Sequence, residues 1–145
     1  MTTIAYKDGV IAYDSRTTAG DVITNDHSDK HHEHNGVHFF MCGTLADYDA
    51  FFAAFEGEKR DSAPQVSCLA LVNGKLFVCG YESESGVWKS PIDMTQSYAI
   101  GSGSQFAWGA MDCGASAAQA VRVAMKRDTC TGGAVRTFNV EQVNT

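Results

Sequence analysis

Apolar and polar residues alternate in short runs over much of this sequence, as they do in half-buried β-strands. Two such runs, Thr2 to Tyr6 and Val10 to Tyr13, are joined by an Asp-Gly pair, which supplies the positive φ that a tight hairpin needs. Val66 to Val72 and Leu76 to Tyr81 flank an Asn-Gly pair in the same way. The pattern therefore predicts two antiparallel hairpins.

Further runs with strand character lie between and after these hairpins. Val37 to Cys42 is apolar except for His38, which favours a strand buried on both faces, and the polar run from Asp14 to Gly20 is predicted to be a turn. Val87 to Ile92, Ser97 to Ile100 and Ala134 to Val140 are also predicted strands.

The period changes after Thr44, where apolar residues fall three or four positions apart until Gly57, as on one face of a helix. These residues are Leu45, Tyr48, Phe52 and Phe55. A second helix is predicted after Gly101-Ser102-Gly103, with Phe106, Ala110 and Cys113 on its apolar face. A third begins at Ser116, where Gln119 stands at the capping-box spacing. Its apolar stripe is Ala117, Ala120, Val121, Ala124 and Met125.

Strands in two groups, each followed by helices, indicate an α+β fold in which two packed sheets carry helices on the outside. At 145 residues the chain is long enough to bury a core, and we expect a single domain over residues 1–145.

Composition narrows the classes of function. A net charge of −6 with scattered basic residues argues against a nucleic-acid partner. The start of the chain lacks a basic region followed by an apolar run, and no run of about eighteen apolar residues occurs, so we expect no membrane partner and a cytoplasmic protein. The five cysteines include no CxxC pair and are expected to be reduced thiols.

The first candidate for chemistry is Thr2, because a small residue after Met1 favours removal of that methionine. The freed α-amine of Thr2, with an ordinary pKa near 8, can then act as general base for the Thr2 hydroxyl. Nucleophile and base would come from one residue.

Several separated segments resemble the proteasome β-subunit family, the N-terminal-nucleophile (Ntn) threonine peptidases that include the bacterial proteasome-like type. They are Thr2-Thr3-Ile4, Asp14 to Gly20, Lys30, Cys42 to Asp47, Gly101 to Ser104, Arg127-Asp128 and Thr131 to Val135. The resemblance implies an Ntn-hydrolase αββα sandwich of two mainly antiparallel sheets. The chain is shorter than typical members between Arg60 and Val66, so one helical layer is expected to be reduced.

By this resemblance Asp14 would hold the Lys30 ammonium beside Thr2, where a cation favours the deprotonated hydroxyl and amine. Ser102 and Asp128 would orient the Thr2 amine. Thr131 would complete the site, although the family usually has Ser there. Gly43 would donate its backbone N–H to the oxyanion of the tetrahedral intermediate.

The resemblance also implies a substrate-binding set, Thr18, Met41, Leu45 and Asp49. Met41 and Leu45 would make the pocket apolar. Asp49 leaves two alternatives open: facing inward it would accept a basic substrate side chain, and facing solvent it would leave a pocket for large apolar residues.

Two weaker signals compete with this interpretation. His32 and His34 would share a strand face at a spacing that can chelate zinc or nickel, but no third ligand is evident, so we predict no metal and no cofactor. Gly101-Ser102-Gly103 resembles a dinucleotide-binding turn, but Phe106 stands where the third glycine belongs.

The prediction is thus a threonine endopeptidase that acts on peptides or unfolded proteins. A catalytically inactive ring or scaffold protein and an Ntn amide hydrolase with a small-molecule substrate are the alternatives. We expect a homo-oligomeric ring, because Phe51, Phe52 and Phe55 with the Val66 to Val72 strand exceed what one helix can cover. The residues 141–145 do not identify a docking partner, so the sequence leaves open whether an ATP-dependent unfoldase delivers substrates.

Overall fold

The computed structural model describes residues 2–58 and 62–141, and within them the chain forms eleven strands and three α-helices. The strands are β1 (Ile4–Lys7), β2 (Val10–Tyr13), β3 (Thr17–Ala19), β4 (Val22–Asn25), β5 (His31–His34), β6 (Val37–Gly43), β7 (Val66–Val72), β8 (Lys75–Glu82), β9 (Gly86–Pro91), β10 (Tyr98–Ile100) and β11 (Arg136–Asn139). The helices are α1 (Tyr48–Phe55), α2 (Ser104–Asp112) and α3 (Ala117–Met125), and a 3₁₀ turn, Leu45–Asp47, precedes α1.

Most strands lie in two antiparallel sheets, in the orders β10-β1-β2-β11 and β5-β6-β7-β8-β9. The two predicted hairpins form, and Asp8 and Asn73 adopt the positive φ values of 50° and 51° that their turns require. Because every pair is antiparallel, side chains of neighbouring strands alternate together between the two faces of each sheet.

The inner faces of the two sheets pack on each other. The first sheet contributes Ile4, Tyr6, Ile11 and Tyr13, and the second contributes Phe40, Cys42, Leu69, Leu71 and Leu76. Alternate residues of the same strands face outward and pack on helices. This core confirms the predicted two-sheet sandwich.

The outer layers are unequal. Helices α2 and α3 pack on Ala5, Ala12 and Ala99 of the first sheet, whose small side chains let the helices approach closely. Over the second sheet α1 is, within the described residues, the one α-helix, and Phe51 at its centre is fully buried. The result is an αββα sandwich with a reduced helical layer, as predicted.

The structure corrects three expectations. The polar run after Asp14 contains β3, which pairs with β4 in an exposed ribbon rather than forming a turn. Leu45 lies in the 3₁₀ turn and is 61% exposed, because that turn does not keep the period of α1. In α2 the buried residues are Ala107 and Met111, which lie four positions apart and pack on the first sheet, whereas Phe106 is 43% exposed and Cys113 is exposed.

The argument for an uncovered apolar surface is also wrong. Phe51 and Phe52 are buried, and they pack with the outward side chains of β7 inside this chain. Of the shortened segment between Arg60 and Val66, the first two residues lie outside the described residues, as do Met1, Lys59 and residues 142–145. In the described parts of the chain, every helix is too short or too polar to cross a membrane.

Candidate active site

Thr2 lies two residues before β1 with 2% of its surface exposed, and its backbone is held by the 101–103 loop. Gly103 N donates to Thr2 O at 3.4 Å. Gly101 has a φ of 98°, and a Cβ on it would lie 2.0 Å from Thr2 O. A glycine is therefore required at position 101 for the loop to approach Thr2 this closely.

Lys30 reaches Thr2 from the loop before β5. Its Nζ lies 2.8 Å from Thr2 Oγ1 and 2.8 Å from Asp14 Oδ1, and the Lys30 side chain is 3% exposed. Burial lowers the pKa of Lys30, and the Asp14 carboxylate opposes that shift. A buried cation thus donates to the Thr2 hydroxyl oxygen, where negative charge develops if that oxygen attacks a substrate.

Asp14, directly after β2, is fully buried and each of its oxygens accepts two N–H groups. Oδ1 accepts Lys30 Nζ and, at 3.1 Å, the backbone N–H of Thr3. Oδ2 accepts the backbone N–H groups of Arg16 at 3.3 Å and Gly132 at 3.0 Å. Four donors offset the desolvation of this carboxylate, so the negative charge that fixes Lys30 is held by backbone from three segments.

Ser102, Asp128 and Thr131 lie on the other side of Thr2. Ser102 Oγ accepts from Thr2 N at 3.2 Å and donates to Asp128 Oδ2 at 2.5 Å. Thr131 Oγ1 donates to the same oxygen at 2.6 Å. Asp128 therefore reaches the Thr2 nitrogen through Ser102 in the contacts described here. In the full chain this nitrogen is the amide that follows Met1.

Asp128 is held as a carboxylate. Burial raises the pKa of Asp128, but hydrogen bonds from Ser102, Thr131 and the backbone of Cys130 outweigh burial, and the net pKa is lowered. The methyl group of Thr131 does not interrupt these contacts, since its hydroxyl bonds both Asp128 and Thr3.

A cavity of about 660 Å³ opens beside these groups. Thr2, Lys30 and Gly43 contribute to its wall, and Gly43 ends β6 with a φ of 118°. The other wall residues are Arg16, Thr17, Thr18, Gly20, Thr24, Thr44, Leu45, Ala46, Tyr48, Gln65 and Cys130. Nucleophile, cation and the expected oxyanion donor thus face one space large enough for several residues of a peptide.

The cavity contains part of the predicted substrate-binding set. Thr18 and Leu45 line the cavity, whereas Met41 and Asp49 are not among its wall residues in the described part of the chain. Met41 is fully buried, because its position on β6 turns it outward from the sandwich and under α1. Asp49 is exposed on α1. Met41 therefore does not line the cavity as expected, and of the two alternatives for Asp49 the structure has the one in which it faces solvent.

Sequence reasoning missed Arg16 and Thr3. Arg16 lines the cavity, makes a forked ion pair with Asp26 at 2.9 and 3.2 Å, and donates to Thr129 O at 3.1 Å. Gly132 lies so close that a Cβ on it would meet the guanidinium at 2.3 Å. The Asp-Ser-Arg run and the second threonine were visible in the sequence, but their partners are distant in the chain.

Four of the five histidines form two separate groups on β5 and β6. His31 and His38 stack with ring centroids 5.1 Å apart, and their Nε2 and Nδ1 atoms lie 2.8 Å apart. His32 and His34 share the other face and contact Phe52. Within the described residues, no three histidine, cysteine or acidic side chains come together as metal ligands.

Comparison with solved structures identifies the fold. No protein-family model matches the sequence, and no curated protein matches it. Among solved structures, eukaryotic HslV from Trypanosoma brucei has a TM-score of 0.67 at 15% identity, covering 94% of this chain and 97% of that one. BPH from Thiobacillus denitrificans in complex with epoxomicin has a TM-score of 0.63 at 22% identity, covering 94% and 96%. BPH alone gives 0.61 at 22% identity, covering 94% and 95%.

At these identities the likeness establishes the fold. It is the proteasome-type Ntn-hydrolase sandwich, in agreement with the resemblance found in the sequence.

Proposed function

We propose that this chain is a threonine peptidase in which Thr2, freed from Met1, attacks the carbonyl carbon of a peptide bond. One observation carries the proposal: Lys30 Nζ lies 2.8 Å from both Thr2 Oγ1 and Asp14 Oδ1 in a buried position. A buried ammonium at hydrogen-bond distance from a threonine hydroxyl favours loss of the hydroxyl proton.

The first half of the reaction forms an ester. Thr2 Oγ1 bonds to the substrate carbonyl carbon while its proton passes to the Thr2 amine, and the resulting oxyanion is stabilised by the Gly43 N–H. The protonated amine then gives that proton to the leaving nitrogen, and the C–N bond breaks. An acyl ester on Thr2 and a new peptide N-terminus result.

The second half restores the enzyme. The Thr2 amine takes a proton from a water molecule, whose oxygen attacks the ester carbonyl. The ester C–O bond breaks, and the proton returns to Thr2 Oγ1. Asp128 supports both halves through Ser102, because a carboxylate near the amine stabilises the ammonium that forms in each.

The cavity supports a preference for large uncharged side chains next to the cleaved bond. Its wall includes Leu45, Ala46 and Tyr48, and burial raises the pKa of Tyr48 to about 12, so the phenol stays neutral. The charged wall residues Arg16 and Lys30 are already paired with Asp26 and Asp14. Of the two alternatives left open by Asp49, its exposed position supports the apolar one.

The test compares fluorogenic peptides that carry Phe, Leu, Lys or Glu before the reporter amide. We expect wild-type protein to cleave the Phe and Leu peptides, and Thr2→Ala to cleave none. Alanine is also small enough for removal of Met1, so the control keeps the same N-terminal processing. Equal rates for wild type and Thr2→Ala would contradict the proposal and favour the scaffold function.

We also propose that the chain works as a single Ntn-hydrolase domain within a homo-oligomeric ring, acting on peptides or unfolded proteins. The proposal rests on the resemblance and on the exposed Val22 and Ile23 of the β3–β4 ribbon, whose Thr17, Thr18 and Thr24 line the cavity. Sedimentation velocity at micromolar concentration should give a species several times the 15.6 kDa of one chain, and a monodisperse monomer would contradict it.

A further inference from the structure

A chain of hydrogen bonds runs behind Thr2 and starts at its neighbour Thr3. Thr3 Oγ1 lies 2.8 Å from Thr131 Oγ1, which lies 2.6 Å from Asp128 Oδ2. Asp128 Oδ2 lies 2.5 Å from Ser102 Oγ, which lies 3.2 Å from Thr2 N. Thr3 is fully buried and Thr131 is 1% exposed. Two residues adjacent in sequence are thus joined through three residues distant from them.

The direction of each bond follows from counting protons. Asp128 is a carboxylate and can only accept hydrogen bonds, so Ser102 and Thr131 must each donate their single hydroxyl proton to it. Ser102 also lies 3.4 Å from Thr2 O, but the 2.5 Å bond to a charged acceptor is much the stronger. Both hydroxyl oxygens are then left as acceptors. Thr3 must donate to Thr131, and Thr2 N must donate to Ser102.

The Thr3 side chain is fixed in position by its backbone and by close packing. Its backbone N–H donates to Asp14 Oδ1, which ties it to the residue that fixes Lys30. On the other side a Cβ on Gly103 would lie 2.0 Å from Thr3 Oγ1 and 3.1 Å from Thr131 Oγ1. The two hydroxyls fill the space against Gly103, and even a methyl group does not fit.

We propose that Thr3 is a positioning residue for Thr2. By donating to Thr131, Thr3 strengthens the bond from Thr131 to Asp128, and Asp128 also accepts from Ser102, so that the Thr2 nitrogen donates toward Ser102 and keeps its lone pair for the reacting proton. The inference rests on the proposed peptidase function, and it adds a residue that does not touch the substrate.

The charged groups around the Thr2 nitrogen give this role a pH signature. They are Asp128 after α3, Lys30 before β5 and Asp14 after β2, and the nearby Cys42 thiol is neutral because burial raises its pKa. Without Thr3, Thr131 is a weaker donor to Asp128, since hydrogen bonds in a chain polarise one another. The Asp128 carboxylate then attracts the protonated amine more strongly, and the pKa of the amine rises.

The test uses Thr3→Val, which keeps the shape of Thr3 and removes its hydroxyl, beside Thr3→Ser, which keeps the hydroxyl. We expect Thr3→Val to lower kcat about fivefold, the effect of one ordinary buried hydrogen bond, with KM unchanged. The acid limb of kcat/KM should move to higher pH, and Thr3→Ser should restore both. Thr137→Val, at an exposed position on β11, is the matched control and should change neither.

Thr131→Val removes the hydroxyl that bonds Asp128 directly, and it should lower kcat more than Thr3→Val does. This second variant keeps the test decisive if Thr3→Val folds poorly. A Thr3→Val protein with a lower melting temperature but an unchanged kcat and acid limb would overturn the inference. So would a Thr3→Ser protein as impaired as Thr3→Val. If the wild-type protein shows no Thr2-dependent hydrolysis, the proposed peptidase function itself is wrong. This outcome is distinct from one in which the wild type is active and only the inference about Thr3 is wrong.

Discussion

The two sides of the cavity are built differently. On the side of Thr2, the residues Asp14, Lys30 and Thr131 are at most 3% exposed and are hydrogen-bonded to several segments of the chain. In another part of the wall, Leu45 is 61% exposed, and the β3–β4 ribbon, which contributes Thr17, Thr18 and Thr24 to the wall, carries Val22 and Ile23 at 64% and 48%. One side is fixed by the fold, and the other is open to solvent.

This difference separates two requirements of catalysis. Reacting groups must be held in one geometry, because small displacements are costly in rate, and the buried side meets that requirement. Groups that contact varied substrates can lie on an exposed loop or ribbon. Substitutions on the buried side should therefore lower kcat and stability, and those on the exposed side should change KM.

The largest effect is expected from Lys30→Met on the buried side. It leaves the Asp14 carboxylate buried without its cation, which should cost about 3–5 kcal/mol of unfolding free energy. The same change removes the cation at Thr2 Oγ1 and should lower kcat by roughly 10²–10⁴-fold. Denaturant unfolding and peptide hydrolysis measure the two losses. Lys7→Met, at a half-buried lysine outside the site, is the control, and a Lys30→Met protein as active as Lys7→Met would contradict the account.

Gly101→Ala should have the next largest effect. Gly101 and Gly114 have nearly equal φ values of 98° and 101°, so alanine strains the backbone similarly at both. Only at Gly101 does the new Cβ meet Thr2 O, while nothing lies within 4 Å at Gly114. Displacing Thr2 should lower kcat by about 10²-fold, whereas Gly114→Ala should keep its activity. Equal activity of the two variants would show that the 101–103 loop does not position Thr2.

Leu45→Ser tests the exposed side. We expect KM for peptides with large apolar residues to rise about threefold to tenfold, because a partly exposed apolar contact is lost. The values of kcat and of the unfolding free energy should stay near those of wild type, the latter within about 0.5 kcal/mol. Val123→Ser, at an exposed valine on α3, is the control. A fall in kcat with an unchanged KM would contradict the division between the two sides.

The smallest expected effect is on the loss of stability at low pH, and it involves His31. Burial lowers the pKa of His31, the nearby His38 lowers it further, and Asp29 and Glu33 act in the opposite sense. The folded chain thus binds fewer protons than the unfolded chain below the ordinary pKa of about 6.5, so stability is present above that pH and is lost as pH falls. His38→Phe should reduce this loss in unfolding experiments from pH 7.5 to 5 without changing kcat at pH 8. An unchanged acid loss in His38→Phe would place the sensitivity elsewhere.

The sequence predicted best what depends on neighbouring residues. Asp8-Gly9 and Asn73-Gly74 specify their hairpins locally, and Ser116 with Gln119 forms the predicted capping box. Lys30, Ser102 and Asp128 could be named through the resemblance, and the structure brings them around Thr2.

What the sequence did not predict depends on distant contacts. Met41 points under α1 because of its place in the pleat of β6, and Leu45 is exposed because it lies in the 3₁₀ turn before α1. The hydroxyl of Thr3 gains its role from Thr131, 128 positions away. Neither local propensity nor spacing carries such information.

Intact mass spectrometry of the purified protein, before and after incubation with epoxomicin, tests the central claim most directly. Thr2→Ala serves as the control. The account predicts a chain that begins at Thr2 and gains the mass of one inhibitor molecule, with no gain in Thr2→Ala. A chain that retains Met1, or one that begins at Thr2 and stays unmodified at high inhibitor concentration, would contradict the claim that Thr2 is a nucleophile.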